Sequence, residues 1–375
     1  ELGLGDKLAW LESKVGLYHG GTIWSFSTPM DLIRFKPLSM LQRLRVGWWT
    51  FVLQKTRNWR KFEDITAKDW LVRHMGAEAY RVIWEPLLRG KFGDYYDQVS
   101  MTWIWGKIYL RVASRGKGLQ KERLGYPMGS FGEVFDVLGE RVSQQGGDVH
   151  ISARVNRILV EDNNATGLEV QLSDSEPESR NYDAVIATTP SYIFTRLVPD
   201  LPEDYREKLV NVQYLSAVLL ILVMDRPLTD KYWISIADHD LPFVGIIEHT
   251  NMIDRSLYGG HHIVYLTNYP SRESELYQKS AEELMEELTP HLRRLNPDFE
   301  LSWILEYHHH KVDGAQPIIG TNYSERIPDH RTPIKNLYLA NTTQIYPEDR
   351  GTNYSVRMGR QVARMVLEDA GEVVD

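Results

Sequence analysis

One segment near the end of the chain combines residue types that suit ligand chemistry. In "NLYLANTTQIYPEDRGTNYSVRMGRQVARMVLEDAG" (residues 336–371) a short apolar strand runs into Asn341. A polar loop follows, then Gly351, then a helix. This order brings unpaired backbone N–H groups together at a helix start, where they can hold an anion or the polar edge of a cofactor.

Other candidates are weaker. His308 and His310 in "YHHHKV" fall on one face of a strand. Two imidazoles could start a metal site, but no third ligand stands nearby, so they read as strand-surface histidines and no metal is expected. "DHD" (residues 238–240) looks like an Asp-x-Asp metal–diphosphate motif, although a lone triplet reads more simply as a solvated loop. Glu85, Arg89 and Lys91 in "WEPLLRGKFG" are candidates for substrate contact, with surface charge as the plainer alternative. There is no cysteine, which excludes disulfides, thiolate metal sites and a cysteine nucleophile. Gly-x-Gly-x-x-Gly, a Walker loop, a Gly-x-Ser-x-Gly elbow and His-Glu-x-x-His are all absent.

Residues 34–61, "RFKPLSMLQRLRVGWWTFVLQKTRNWRK", hold eight Lys/Arg and no acid, in a chain of net charge −8. Three readings fit this asymmetry. A basic helix with tryptophans can lie on an anionic membrane. Basic and aromatic residues can hold single-stranded nucleic acid. Or Leu41, Leu44, Trp48, Phe51 and Val52 pack inward while the charges face water. The last is the preferred reading, and no nucleic-acid partner is expected.

The elements that must position these residues are legible in outline. The 375 residues predict two or three domains with a large core. The apolar share of 42% and charged share of 25% are those of an ordinary folded protein. The start, "ELGLGDKLAWL", reads as a helix, and residues 14–27 as a hairpin turning at Gly20-Gly21. Residues 30–113 read as helical, with caps at Thr66 and Ser100. They hold seven of the eleven tryptophans, from Trp48 to Trp105. Residues 114–130 form a Gly- and Lys-rich link to an amphipathic helix ending at Gly146-Gly147. A β-meander turning at Asn163-Asn164 follows, then the loop "SDSEPESR" and the buried strand "YDAVIATTP". Residues 211–310 are mostly strands with one helix near 280–295. In the closing helix Val356, Gly359, Ala363 and Val366 are spaced to pack inward. The longest apolar run, "YLSAVLLILVM", is shorter than the ~20 residues that span a bilayer and reads as a buried strand. The first thirty residues lack a basic-then-apolar signal, so the protein is expected in the cytoplasm, with peripheral membrane contact through residues 34–61 as the alternative.

Four segments in order resemble the flavin-containing amine oxidase superfamily, which includes protoporphyrinogen oxidases, phytoene desaturases and monoamine oxidases. They are "GLYHGGTIWSFSTPMDLIRFKPLSMLQRLR", "YPMGSFGEVFDVLGERVSQQGGDVHISARVNRILVED", "YDAVIATTP" and "NLYLANTTQIYPEDRGTNYSVRMGRQVA". The resemblance implies a mixed α/β fold. Residues 116–190 and 311–375 would form part of a Rossmann-like FAD-binding domain. Residues 1–30 and 191–310 would form a substrate domain with a mixed, largely antiparallel sheet. Residues 31–115 would be a membrane-facing helical subdomain. It further implies a β-α-β unit of ~30 residues, carrying a Gly-rich pyrophosphate loop, that precedes everything here. The chain is expected to begin beyond that unit, and to be inactive without it.

The resemblance also carries site residues. Val155 matches the strand residue whose backbone meets the adenine. Thr188 and Thr189 match the turn beside the cofactor. Asn341 stands where the family usually has Asp after Gly, "AN" for "GD". Gly351, Thr352, Asn353 and Tyr354 match the turn offering N–H groups to the flavin pyrimidine. The implied cofactor is FAD. The implied reaction is oxidation of a small apolar substrate by hydride removal at a C–N or C–C bond. Two alternatives stand beside it: a non-redox flavin enzyme of the sugar-nucleotide mutase type, which a pocket of Arg326, Arg331 or Arg357 with tyrosines would favour, and a flavin-less binding or scaffold domain.

Overall fold

The computed structural model describes residues 2–113, 123–173 and 175–372. Residues 114–122 of the expected link lie outside the described residues, and its described part forms the strand Arg123–Pro127. The architecture is mixed α/β. The chain folds into two compact units. One comprises Glu1–Leu8, Pro127–Gln213 and Tyr323–Asp375, the other Ala9–Tyr126 and Tyr214–Asn322. Residues 191–213 thus fall in the first unit, and residues 311–322 in the second.

The second unit is built on a seven-stranded sheet. Its order is Ile304–Pro317, Tyr214–Met224, His262–Asn268, Gly245–Glu248, Trp233–Ile236, Val15–His19, Thr22–Ser25. Neighbours are antiparallel except Trp233–Ile236 against Val15–His19. Tyr214–Met224 is long and almost wholly apolar, which suits a strand covered on both faces. Val218, Leu220, Leu222 and Met224 alternate into one core with Val264, Leu266, Ile234 and Ile246. Leu284 and Leu288 of the helix Ala281–Leu288 cover it. Each such side chain stabilises the unit by about 1.5–3 kcal/mol. The hairpin turn uses positive φ at Gly20 and Gly21, +59° and +73°. Asp238 accepts from both turn amides, at 2.9 and 3.3 Å, and Asp240 pairs with Arg294 at 2.6 Å. The "DHD" triplet therefore serves a turn and an ion pair.

The helical part of this unit starts with Met40–Lys55, whose Ser39 cap accepts from Gln42 N. Ala67–Met75 is capped by Thr66, as expected, and stops at Gly76 with φ +98°. Next come Ala77–Ala79, a π-helical turn over Tyr80–Trp84, and Glu85–Phe92. The sequence gives no hint of that π-turn. The helix Met101–Ala113 follows Ser100, whose hydroxyl accepts from Thr102 N at 3.2 Å.

Leu41, Leu44, Trp48 and Phe51 do not pack inward. They are exposed, Leu41 by 80% and Trp48 by 62%, and Val52 is half-buried. The inward face carries Val46, Trp49 and Leu53, with Trp49 edge-on to Trp70 at 5.6 Å. Apolar residues surround this helix, so periodicity alone could not choose between the two stripes.

The first unit holds the helix Ser130–Gln144, a three-stranded meander and a two-stranded parallel sheet. The meander runs Ala153–Glu161, Asn164–Leu172, Glu178–Asn181. Its first turn is at Asp162 and Asn163, both with positive φ, one residue earlier than expected. The end of "SDSEPESR", read as loop, pairs as its edge strand. Val185–Ala187 and Leu337–Leu339 form the parallel pair. Residues 8–12, read as helix, form the strand Leu8–Glu12, whose exposure alternates with period two.

Candidate functional site

The two parallel strands of the first unit run side by side, Val185 opposite Leu337 and Ala187 opposite Leu339. The ends of parallel strands are where α/β folds place ligands. Here those ends are tied together. Ala340 N donates to Ala187 O at 2.9 Å. Asn341, buried at 4% exposure, uses its whole side chain. Its Nδ2 donates to Thr189 O at 3.0 Å and Ser191 Oγ at 3.3 Å. Its Oδ1 accepts from Thr343 N at 3.1 Å and Thr343 Oγ1 at 2.6 Å. An Asp carboxylate could accept these bonds but could not donate the other two. That is a physical reason for Asn here: the amide fastens the turn after Ala187 to the turn after Leu339.

The Thr189 hydroxyl is left buried without a partner among the described residues. Thr188 beside it is exposed. An orphaned buried hydroxyl costs about 1–3 kcal/mol unless a ligand or water meets it.

The closing helix Thr352–Asp369 starts at Gly351. No side chain caps it and no acid lies in its first turn. Gly351 O receives Tyr354 N and Ser355 N, both at 3.0 Å, which leaves the earlier amides facing outward. Gly351 is extended, φ −176° and ψ 152°, so its backbone does not require glycine. Space is tight but not closed: a Cβ there would stand 3.0 Å from Asn353 Oδ1, the end of an exposed side chain, and 3.3 Å from the Tyr354 ring. Tyr354 packs on the cluster of Tyr338, Ala340, Ile345, Met358 and Val362. That cluster fixes the helix start beside Ala340, next to Asn341. The helix buries Met358 and Val362, not the stripe read from sequence. Val356 is 54% exposed, Gly359 and Ala363 are exposed, and Val366 is half-buried.

Val155 is half-buried on Ala153–Glu161, opposite Val170. This strand is the outer member of the meander, so its far edge has no strand partner among the described residues. Ile158 joins it to the parallel pair in one core with Val185, Ala187, Leu337 and Leu339.

A cavity of about 570 Å³ lies along the closing helix. Its lining includes Arg331, Arg357, Arg360, Arg364 and Asn353, and no tyrosine. Arg331 grips Asp369 at 2.7 and 3.0 Å, and Arg357 holds Glu348 at 2.9 Å. Arg326 instead lies over the Tyr323 ring, 5.9 Å from its centre.

In the second unit Glu85, Arg89 and Lys91 follow the π-turn. Arg89 Nε donates to Glu85 at 2.9 Å, and its guanidinium stacks 3.7 Å from the Tyr96 ring centre. Lys91 sits 4.6 Å above Tyr269. The π-turn itself holds Tyr80 OH and Trp84 Nε1, both buried without partners among the described residues. Burial, ahead of nearby Glu85, raises the Tyr80 phenol well above its usual range, so it stays a donor. Sequence reading missed this pair, since nothing in residue types marks a five-residue turn of π-helix.

Residues 17–367 match the family described as flavin containing amine oxidoreductase, and the chain belongs to it. The family is one of oxidoreductases, and its cofactor is FAD. A chloroplastic protoporphyrinogen oxidase of Oryza sativa subsp. japonica is 23% identical over 219 residues, 52% of this chain and 40% of that protein. The match thus spans about two fifths of that relative's length. Among solved structures, an Exiguobacterium sp. 255-15 protein provisionally named protoporphyrinogen oxidase aligns with TM-score 0.73 and 16% identity. It covers 98% of this chain and 83% of that one. A reduced UDP-galactopyranose mutase aligns with TM-score 0.69 and 13% identity, over 99% of this chain and 81% of the other. At these identities the structures establish a shared fold.

The residues present fit the ring end of FAD. The tied strand ends, the orphaned Thr189 hydroxyl and the uncapped helix start are of the kind a flavin's polar edge needs.

Proposed function

We propose that this chain forms the flavin-ring and substrate portions of an FAD-dependent oxidoreductase. The substrate is small and apolar, and oxidation removes a hydride from carbon at a C–N or C–C bond. The observation that carries the reading is the Asn341 clamp set beside an uncapped helix start. Thr188, Thr189, Asn341 and Gly351 to Tyr354 would hold the ring end, and the free edge at Val155 the adenosine end. The chemistry that a bound FAD supplies is acceptance of the hydride. The chain's own part is to orient and to polarise. The partial positive charge of the first turn at Thr352 favours negative charge on the pyrimidine edge. On the substrate side, Glu85, Arg89 and Lys91 with the Tyr80 and Trp84 donors are the proposed contacts.

The pyrophosphate would be held by a further strand–helix–strand segment with a Gly-rich loop. Supporting this, the Ser130–Gln144 helix turns Phe131, Phe135, Leu138 and Val142 to solvent, and Ile186 of the parallel pair is 44% exposed. We also propose that residues 34–61 meet a membrane surface while the rest of the protein stays in water. Among the described residues no helix is long and apolar enough to cross a membrane.

A non-redox mutase-type flavin enzyme is the second reading. The arginine-lined cavity favours it, although two of those guanidiniums already serve carboxylates and no tyrosine lines it.

The test is Gly351→Val in the product of the whole reading frame, with flavin content and apo melting temperature measured on the same preparation. Extended backbone at Gly351 tolerates valine, so apo melting should hold within a few degrees while FAD binding weakens by roughly tenfold or more. Collapse of apo stability with normal flavin binding in the surviving protein would assign Gly351 to the fold alone.

A further inference from the structure

We infer that the outer edge of the large sheet is a metal-dependent self-association site. Two copies of this chain pair through Ile304–Pro317 and hold one divalent transition-metal ion, zinc or a close equivalent, between His308 and His310 of each. This goes beyond the flavin reading and does not rest on it. Ile304–Pro317 is the end strand of the seven. Its register with Tyr214–Met224 shifts on either side of Glu306–Val312 and is unbroken within that stretch. The outer edge has no strand partner among the described residues, so its backbone groups are open to another strand. Lys311 is of the residue type that guards such an edge. Here it lies opposite Val218 on the core side, its Nζ 5.4 Å from the Tyr277 ring centre.

The side chains select the occupant. Glu306, His308, His310 and Val312 share one face, and all four are exposed. His308 and His310 stand about 6.6 Å apart along the strand, so both imidazoles reach one ion at the usual ~2.0–2.1 Å. Their neighbours on Tyr214–Met224 are Ile221 and Leu219, which bring no competing charge. Glu306 Oε1 stands 3.3 Å from His308 Nε2, where it orients the ring. Two ligands do not complete a site, and among the described residues no group of three or more His, Asp or Glu converges on a metal. A second copy supplies the rest. The regular stretch Glu306–Val312 is centred on His309. Antiparallel pairing about a two-fold axis at His309 sets His308 of each copy opposite His310 of the other, on one face. Four imidazoles then surround the axis, the full complement of a tetrahedral zinc ion. The same register sets Tyr307 opposite Lys311 and Glu306 opposite Val312, so no like charges meet. A strand from a different protein would satisfy the backbone but bring no matched ligands. The paired stretch is short and makes a small interface, so the dimer depends on the metal.

The experiment is sedimentation velocity with isothermal titration on the untagged product of the whole reading frame, zinc chloride being the probe and EDTA the reference. The unaltered protein is compared with His308→Asn/His310→Asn, Val312→Asp, Val312→Lys and, as a surface-histidine control, His239→Asn. Melting temperature in EDTA checks that each is folded. The unaltered protein is expected to double its mass on zinc addition, with one ion bound per two chains. His308→Asn/His310→Asn removes zinc binding and doubling together, and His239→Asn changes neither. Val312→Asp faces Glu306 twice across the axis and raises the dissociation constant of the zinc dimer by roughly two- to thirtyfold, whereas Val312→Lys lowers it. No zinc binding, one ion per chain with no change of mass, or a doubling that survives His308→Asn/His310→Asn overturns the proposal. Val312 variants that both leave the zinc dimer unchanged overturn the edge pairing and the four-imidazole site with it.

Discussion

Glu248 is fully buried at the end of Gly245–Glu248. Its oxygens accept from Leu228 N at 3.1 Å, Thr229 N at 2.7 Å and Thr229 Oγ1 at 2.9 Å. His262 Nδ1 lies 3.9 Å away, but burial lowers that imidazole's proton affinity and keeps it neutral. Burial outweighs the hydrogen bonds and raises the carboxyl from 4.5 to about 7. The folded state therefore holds a proton that the unfolded state has released between those two values. Stability contributed by this group is present at low pH and falls as pH rises through that window. Relative to Glu248→Gln, the unaltered protein should lose on the order of 2–3 kcal/mol between pH 4.5 and 7. Chemical denaturation of both proteins across that range measures the difference, and parallel curves would rule the effect out. Residue-scale legibility was uneven. Asn341 and Gly351 stood out because a strand ending in Asn and a glycine before a helix are visible as letters. What Asn341 does was not visible, since its partners Thr189 and Ser191 lie some 150 residues earlier. Tyr80 and Trp84 carried no signal, because their burial depends on a backbone winding that residue types do not announce.

At the scale of elements, the Ser130–Gln144 helix illustrates how an amphipathic pattern can be right about structure and incomplete about burial. It forms where the apolar spacing puts it, yet none of its residues is buried. Phe131, Phe135, Leu138 and Val142 make one exposed stripe. Removing an exposed aromatic from water-facing surface should cost the isolated chain little. Phe135→Glu is expected to shift stability by no more than about 0.5 kcal/mol, while reducing binding of a hydrophobic dye. A loss of several kcal/mol would mean that the stripe is already covered. The closing helix failed differently. It has apolar residues on two sides, so a stripe through Val356 and one through Met358 both satisfy helical period. The neighbouring strand residues Tyr338 and Ala340 decide the phase, and they are remote from it in period analysis.

For the whole molecule, the proposed division of labour predicts a colour. Residues 1–375 contain no Gly-x-Gly-x-x-Gly, the motif that brings a pyrophosphate to a helix start. The purified chain should be colourless or nearly so, and the product of the whole reading frame yellow. One equivalent of bound flavin on the isolated chain, read from its visible absorbance, would contradict this. Composition set broad bounds correctly, a folded protein with a substantial core and an acidic balance, while the mixed α/β architecture followed from the family resemblance. Assembly of each unit from separated stretches also followed from the resemblance, though with bounds that differ at residues 191–213 and 311–322.

That assembly governs the order of events at the ribosome. The parallel partner of Val185–Ala187 is Leu337–Leu339, about 150 residues later in the chain. The outermost strand of the large sheet, Ile304–Pro317, likewise reaches its neighbour Tyr214–Met224 only after nearly all the chain has been made. Neither unit can close early in translation. From the completion of Tyr214–Met224 until Ile304–Pro317 has been made, that strand presents an apolar, unpaired edge, the state in which nascent chains meet chaperones or aggregate. A premature stop near residue 330 would be correspondingly severe. It would remove the second parallel strand, the Asn341 clamp and the closing helix in one event, and strip Ile334, Leu337 and Leu339 from the core of the first unit.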